Sequence, residues 1–256
     1  MKILKSLSKR LDLKLTSKSK YKKLLLDSRS AQDFSFVKAI DPQHRSQCID
    51  NLEHSSSQFR QDLFVLSQLG FKNNGYFVEF GATDGICISN TYLLEKRFGW
   101  NGILAEPAAV WHDALAKNRK SHIETKCVWS ESGAKLRFNE TELSELSTLD
   151  DFSGDDSNKS RRQMGRRYDV ETISLVDLLD KYNAPTLIDY LSVDTEGSEF
   201  DILKAFDFDK YRFGVITCEH NYTNRRKKVF DLLIANGYER KFEEFSNVDD
   251  WYVYRG

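Results

Sequence analysis

Three short stretches of this 256-residue chain gather glycines and carboxylates in patterns suited to holding a nucleoside and moving a proton. The first is Phe77-Val-Glu-Phe-Gly-Ala-Thr-Asp-Gly85, an apolar run that breaks into a turn. Gly81 and Gly85 let the backbone bend sharply and approach a ligand. The dinucleotide fingerprint Gly-x-Gly-x-x-Gly fails here, because position 83 is Thr. Glu79 and Asp84 put negative charge where a pyrophosphate would need donors. A ligand carrying a cationic sulfonium and an amino group is favoured instead.

The second stretch is Glu106-Pro107. Glu106 lies 21 residues beyond Gly85, at the end of the next apolar run. An acid about 20 residues on is placed to accept both ribose hydroxyls of a nucleoside. Capping of the following helix would also explain it. Ser89, Asn90 and Thr91 open the intervening helix. One of them is needed as a cap, and the three together suit the carboxylate of an amino-acid ligand at a helix N-terminus. Val128 and Trp129 end a third apolar run and suit an adenine wall, although core packing would account for Trp129 equally well.

The third stretch is Asp194-Thr-Glu196-Gly-Ser-Glu199. Carboxylates this close repel one another unless something cationic compensates. Cys218-Glu219-His220-Asn221 ends the next apolar run, so Asp194, Glu196, Glu219 and His220 are expected on one rim. A divalent metal held by Asp194 with Glu219 or His220 is one way to compensate them. Glu199 is also explained as a helix cap. His220 has the right intrinsic pKa for a base, yet a strand-end histidine needs no catalytic role.

These residues need a scaffold of alternating strands and helices. A helix is expected over Ser55–Gly70, with Phe59, Leu63, Leu66 and Leu69 on one face. Strands follow at Tyr76–Phe80, Gly102–Ala105, Ile123–Trp129, Leu187–Val193 and Val215–Glu219. Helices are expected at Asn90–Phe98, Trp111–Lys117, Thr172–Lys181, Phe200–Ala205 and Arg225–Asn236, the last stopped at Gly237. Such alternation argues for parallel strands with right-handed crossovers. Tyr238–Phe245 and Trp251–Tyr254 read as a terminal antiparallel hairpin. Gly154–Arg167 has almost no apolar residues and reads as a mobile loop or lid. Its Arg161, Arg162, Arg166 and Arg167 are either solvated or able to grip a phosphate or uronic acid. Tyr222, Trp251 and Tyr254 could stack on a sugar ring or serve as core.

Forty per cent hydrophobic residues and a net charge of -1 describe an ordinary soluble domain with no bias toward nucleic acid. The charge is uneven: residues 1–30 hold ten Lys/Arg against Asp12 and Asp27. Leu4, Leu7, Leu11 and Leu15 make that segment a short basic amphipathic helix, a loosely packed tail or a contact for anionic lipid or a pathway enzyme. We therefore divide the chain into a basic extension, residues 1–54, and a main domain, residues 55–256. Four scattered cysteines, no apolar span and no secretory leader predict a cytoplasmic location, peripheral to the membrane if the basic helix binds lipid.

The motifs together resemble the FkbM family of methyltransferases. The resemblance rests on Phe77–Gly85, Ser89-Asn-Thr91, Gly99-Trp-Asn-Gly-Ile-Leu-Ala-Glu-Pro107 and Leu191-Ser-Val-Asp-Thr-Glu-Gly-Ser-Glu-Phe-Asp-Ile-Leu203, and it covers roughly Ser57 to Tyr254. It implies an α/β fold, the Rossmann-like class I methyltransferase sheet, mostly parallel with a reversed last strand. It implies S-adenosylmethionine as cofactor, with Glu79, Gly81, Asp84, Asn90 and Glu106 as contacts. Our reading adds Gly85, Ser89, Thr91, Pro107, Val128, Trp129 and Asp194. The family's association with O-methylation predicts a hydroxyl acceptor on a glycan, glycolipid or sugar-containing precursor. A small soluble metabolite, or a non-catalytic nucleoside-binding module, are the alternatives. For transfer to an alcohol, His220 or Asp194 would act as base, with Glu196 beside them.

Overall fold

In the computed structural model, which describes residues 18–154 and 158–256, β1 (Tyr76–Phe80) lies inside a seven-stranded sheet. Four of its five residues are buried, as befits a near-continuous apolar run covered on both faces. β2 (Asn101–Ala105) pairs with it on one side and β8 (Leu187–Val193) on the other, both parallel. β3 (His122–Glu124) continues beyond β2, and β9 (Arg212–Glu219) beyond β8, again parallel. The other edge is β11 (Asp249–Tyr254), antiparallel to β9, then β10 (Tyr238–Lys241), antiparallel to β11. The order β10-β11-β9-β8-β1-β2-β3 is the Rossmann-like methyltransferase sheet with a reversed last strand. Chain order reverses at β1, and ligands of such sheets bind beyond the carboxyl ends of the strands at that point.

Helices pack on this sheet close to their expected places. They are α3 (Gln61–Gln68), α4 (Tyr92–Phe98), α5 (His112–Asn118), α6 (Leu175–Lys181), α7 (Glu199–Ala205) and α8 (Arg225–Ala235). α3 is shorter than expected. Residues 55–60 stay irregular because Ser55 donates to Asp62 Oδ1 (2.7 Å) and Ser57 Oγ accepts from Asp62 N–H (3.1 Å). A short helix, α9 (Glu243–Ser246), separates β10 from β11. The main core joins Val78, Phe80, Ile103, Leu191, Ile202, Phe213 and Ile216.

A second sheet corrects two expectations. It contains β4 (Cys127–Trp129), β5 (Lys135–Glu140), β6 (Thr148–Leu149) and β7 (Arg166–Ser174), in the order β4-β7-β5-β6. Ile123–Trp129 is therefore two strands in two sheets. The chain turns between them where Glu124 accepts from Lys126 N–H (3.0 Å) and pairs with Lys181 (2.6 Å). The polar stretch expected as a lid ends inside β7, which also takes Thr172–Ser174 from the expected helix. Ser174 then caps α6 by accepting from Asp177 N–H (3.1 Å). Phe138, Leu149, Phe152 and Val170 form this sheet's own small core with Cys127.

Residues 50–256 make one compact unit, and the residues before them belong to another. The described part of the latter contains α1 (Lys18–Ala39), closed by Arg45 Nε donating to Ile40 O (3.0 Å). α2 (Arg45–Asn51) follows. The basic helix expected over Leu4–Leu15 lies outside the described residues. Among the described residues, no helix is long and apolar enough to cross a membrane. All four cysteines are free thiols.

Candidate functional site

Gly81 ties three strand ends together. Its N–H donates to Ala105 O of β2 (3.1 Å). A Cβ added there would stand 2.4 Å from Asp194 O, just past β8, and φ is +72°. Only glycine allows this approach. Two residues on, Thr83 adopts φ +47° and donates its N–H to Glu106 Oε2 (2.8 Å). The other oxygen, Oε1, accepts from Ala108 N–H (2.8 Å) at the start of a helical turn. Glu106 thus ties the glycine turn to the segment leading into the next helical turn and also lines the cavity. Each carboxylate oxygen keeps a further lone pair. Burial pushes this carboxyl up to about 7 against its two N–H bonds, helped by the Glu140 and Glu79 charges.

The cavity here encloses about 640 Å³, counting the part open to solvent. Gly81, Thr83, Glu106, Pro107, Val128, Asp194 and Glu196 line it, so Asp194 and Glu196 of the expected rim meet Glu106 here. The second sheet closes it with Cys127, Phe138 and Leu149, and the loop after β5 adds Ser144, Glu145 and Ser147. Apart from Cys127, which ends the run expected beside the adenine, these second-sheet and loop residues were missed. The alternation Leu136, Phe138 in Lys135–Glu140 was a legible strand signal. Burial pushes the Cys127 thiol up to about 12. Trp129 does not line the cavity; its ring packs against Phe152 (6.0 Å).

Several expected cofactor contacts instead hold one another beneath the floor. Glu79 accepts from Ser89 Oγ (3.0 Å), Asn90 N–H (2.6 Å) and Thr91 Oγ1, with Arg119 Nη1 at 3.7 Å. Its side chain is 3% exposed and Arg119's is 0%. The sequence placed no cation near the glycine turn; the fold brings Arg119 from the end of α5. Burial raises the Glu79 carboxyl, and the Arg119 charge and the hydroxyl donors oppose it. Asn90 Nδ2 donates onward to Ser192 (2.9 Å). Asp84 accepts from Ile86 and Cys87 N–H (2.8 Å each) and shapes its own turn. A Cβ at Gly85 would stand 2.6 Å from Arg119 Cγ, so that glycine serves packing. Glu79, Ser89, Asn90, Thr91, Asp84 and Gly85 surround the cavity and are not among the residues that line it.

At the carboxyl ends of β8 and β9, Asp194, Glu196 and Glu219 bring ligand oxygens within 4.8 Å of one another. Burial and then the Glu196 charge push Asp194 well above the usual carboxylate range, while a hydrogen bond from Glu219 opposes this. Burial and then Asp194 push Glu219 the same way. Two hydrogen-bonded carboxyls of this kind share a proton. Glu196 differs: Arg162 Nη2 (2.6 Å) and Asn221 Nδ2 (3.1 Å) donate to its Oε2. Arg162, 1% exposed, also donates to Leu146 O (2.8 Å), so part of the presumed lid is buried wall. Glu199 accepts from Thr195 N–H (3.1 Å) and Gly197 N–H (2.8 Å), so it fixes the loop before its helix and does not cap the helix as foreseen.

His220 lines a small second cavity together with Glu196 and Glu219, as the expected rim required. Its Nδ1 accepts from Tyr222 N–H (3.0 Å) and its Nε2 meets Asp249 O (3.1 Å), which fixes the proton on Nε2. Burial lowers its pKa. Both His220 nitrogens thus meet backbone groups, and the ligand-atom cluster within 4.8 Å is made by Asp194, Glu196 and Glu219 without it. Trp251 is core, against Phe64 (4.7 Å), and Tyr254 packs on Tyr238 (5.4 Å). Tyr222 is exposed.

Residues 79–254 match the family model described as the methyltransferase FkbM domain. Among solved structures, the chain is similar to a precorrin-6y C5,15-methyltransferase from Geobacter metallireducens GS-15. The identity is 12%, with 75% of this chain and 85% of that chain covered and a TM-score of 0.39. It is also similar to the CurJ carbon methyltransferase at 11% identity, with 94% of this chain and 71% of that chain covered and a TM-score of 0.35. No curated protein matches the chain. The family match takes in the end of β1, the whole cavity and the terminal strands, well over half of the chain, and it shows that this chain belongs to the FkbM methyltransferases.

Proposed function

We propose that this chain is an S-adenosylmethionine-dependent O-methyltransferase acting on a hydroxyl of a glycan, glycolipid or sugar-containing precursor. The observation that carries the cofactor reading is one cavity presenting Gly81, Glu106 and Asp194 at the ends of three adjacent parallel strands, β1, β2 and β8. Glu106 would hold the ribose hydroxyls, Val128 and Pro107 would flank the base, and Asp194 would face the amino end. When bound, S-adenosylmethionine supplies an electrophilic methyl group on a sulfonium.

The chain's own work is alignment and proton removal. Alignment contributes about 7–11 kcal/mol in well-oriented reactions. The Asp194–Glu219 pair, holding one proton, still has one basic site and would take the acceptor's hydroxyl proton. A hard divalent cation among Asp194, Glu196 and Glu219 is the second reading, favoured by their oxygen ligand set. Arg162, already bonded to Glu196 Oε2, fits a cation there poorly, so no step is routed through a metal. The O-linked acceptor rests on the family's association with O-methylation.

The test is calorimetry with S-adenosylmethionine, followed by incubation of labelled cofactor with a host glycan extract and identification of the labelled product. Absence of binding at millimolar cofactor would sink the reading. Label on carbon or nitrogen would move the activity to another transfer class, and loss of labelling with chelator would favour the metal.

A further inference from the structure

The cavity beside Gly81 has a charge pattern that methyl transfer alone does not demand. Its described lining includes Glu106, Glu145, Asp194 and Glu196, and no Lys, Arg or His. Four arginines of the surrounding loops are engaged elsewhere, while Arg161 is exposed. Arg162 is paired with Glu196 (2.6 Å), Arg167 with Asp150 (2.9 Å) and Arg225 with Asp201 (2.9 Å). Arg166 lies over the Tyr168 ring.

The backbone donors tell the same story independently. An anion in a fold of this kind is held by loop N–H groups at the carboxyl ends of the strands. Here the protein's own carboxylates already occupy six of them. Thr83 N–H serves Glu106, and Asn90 N–H serves Glu79. Ile86 and Cys87 N–H serve Asp84, and Thr195 and Gly197 N–H serve Glu199. A phosphate entering the cavity would meet these carboxylates in front of it.

We infer that the methyl acceptor carries no negative charge where it enters this cavity: it is an uncharged or amine-bearing hydroxyl compound, and phosphorylated, nucleotide-linked and uronate groups are rejected. This rests on the proposed methyl-transfer reading and narrows its acceptor class. It also sets aside the anion clamp that the arginine-rich stretch of the sequence invited.

The test reads the cavity's potential without needing the acceptor. Paramagnetic broadening of the backbone amides of Ser144–Ser147 and Thr195–Ser198 is compared for two nitroxides of the same ring, one bearing an amine and one a carboxylate, at low salt. A potential of a few kT enriches the cationic probe over the anionic one by at least about tenfold. Glu145→Gln, a change at an exposed lining residue, should shrink that ratio. Equal broadening, or more from the carboxylate probe, overturns the inference. A labelled methylated product that binds an anion exchanger through a phosphate or uronate also overturns it, and one that passes through supports it. Failure of cofactor binding would sink the methyl-transfer reading and leave the probe result standing, so the two failures are distinguishable.

Discussion

Glu79 and Asp194 are both buried carboxylates at the ends of neighbouring strands, and they stand in opposite situations. Glu79 has two hydroxyl donors, one N–H and the Arg119 charge. Asp194 has the like charges of Glu196, Asp249 and Glu199 around it, opposed by a hydrogen bond from Glu219. A carboxylate whose donors match its lone pairs is scaffold. One that is desolvated among like charges must hold a proton or a cation, and so is poised to exchange one. Residue type does not separate the two; the company each keeps does.

The largest effect we predict is at the poised side. Asp194→Asn keeps the shape against Gly81 but removes the shared proton site, and labelled-methyl turnover should fall by about 10²–10⁴. Cofactor affinity by calorimetry should change far less. A variant with near-normal turnover would break the contrast with Glu79.

At the satisfied side, Glu79→Ala leaves Arg119 without that carboxylate and three donors unmet. Chemical denaturation should show a loss of about 3–5 kcal/mol, as when one partner of a buried pair is removed. A stability within error of the parent would mean that the network is not scaffold.

Glu106 lies between the two extremes and should show it in pH dependence. Its carboxyl titrates at about 7 in the folded chain, above the ordinary glutamate value. Ionised, it accepts at both oxygens; protonated, it does not. We therefore predict that cofactor affinity weakens by up to roughly tenfold per unit as pH falls below about 7, within the limit that one proton sets. Glu106→Gln should flatten that profile. The stability sign is opposite. A folded pKa raised above the unfolded one favours the fold at acid pH, and this contribution is lost as pH rises from the unfolded value of about 4.3 through 7.

The smallest expected effect on turnover is at His220. His220→Gln should cost about 1–3 kcal/mol of stability through its two backbone contacts. Turnover per folded molecule should fall much less than in Asp194→Asn. A loss as large as that one would restore histidine as the base.

Much of the frame was legible because periodicity and turn chemistry are local. Tyr76–Phe80 and Leu187–Val193 appear with the expected bounds, and Glu106 falls at the end of β2 as its spacing required. The second sheet was less legible. Lys135–Glu140 drew no expectation, and β7 was split between an expected loop ending at Arg167 and an expected helix from Thr172 until pairing of the two strands fixed them.

What the sequence determined by itself was the parallel scaffold, the glycine turn and which residues crowd the strand ends, since each depends on neighbours a few positions apart. What only the tertiary structure decided was each polar group's partner. Arg119 reaches Glu79 across 40 positions, Arg162 reaches Glu196 across 34, and the Tyr222 and Asp249 backbone take both nitrogens of His220. The charge and basicity of a buried group are set by such distant neighbours, because desolvation leaves it nothing else to answer to.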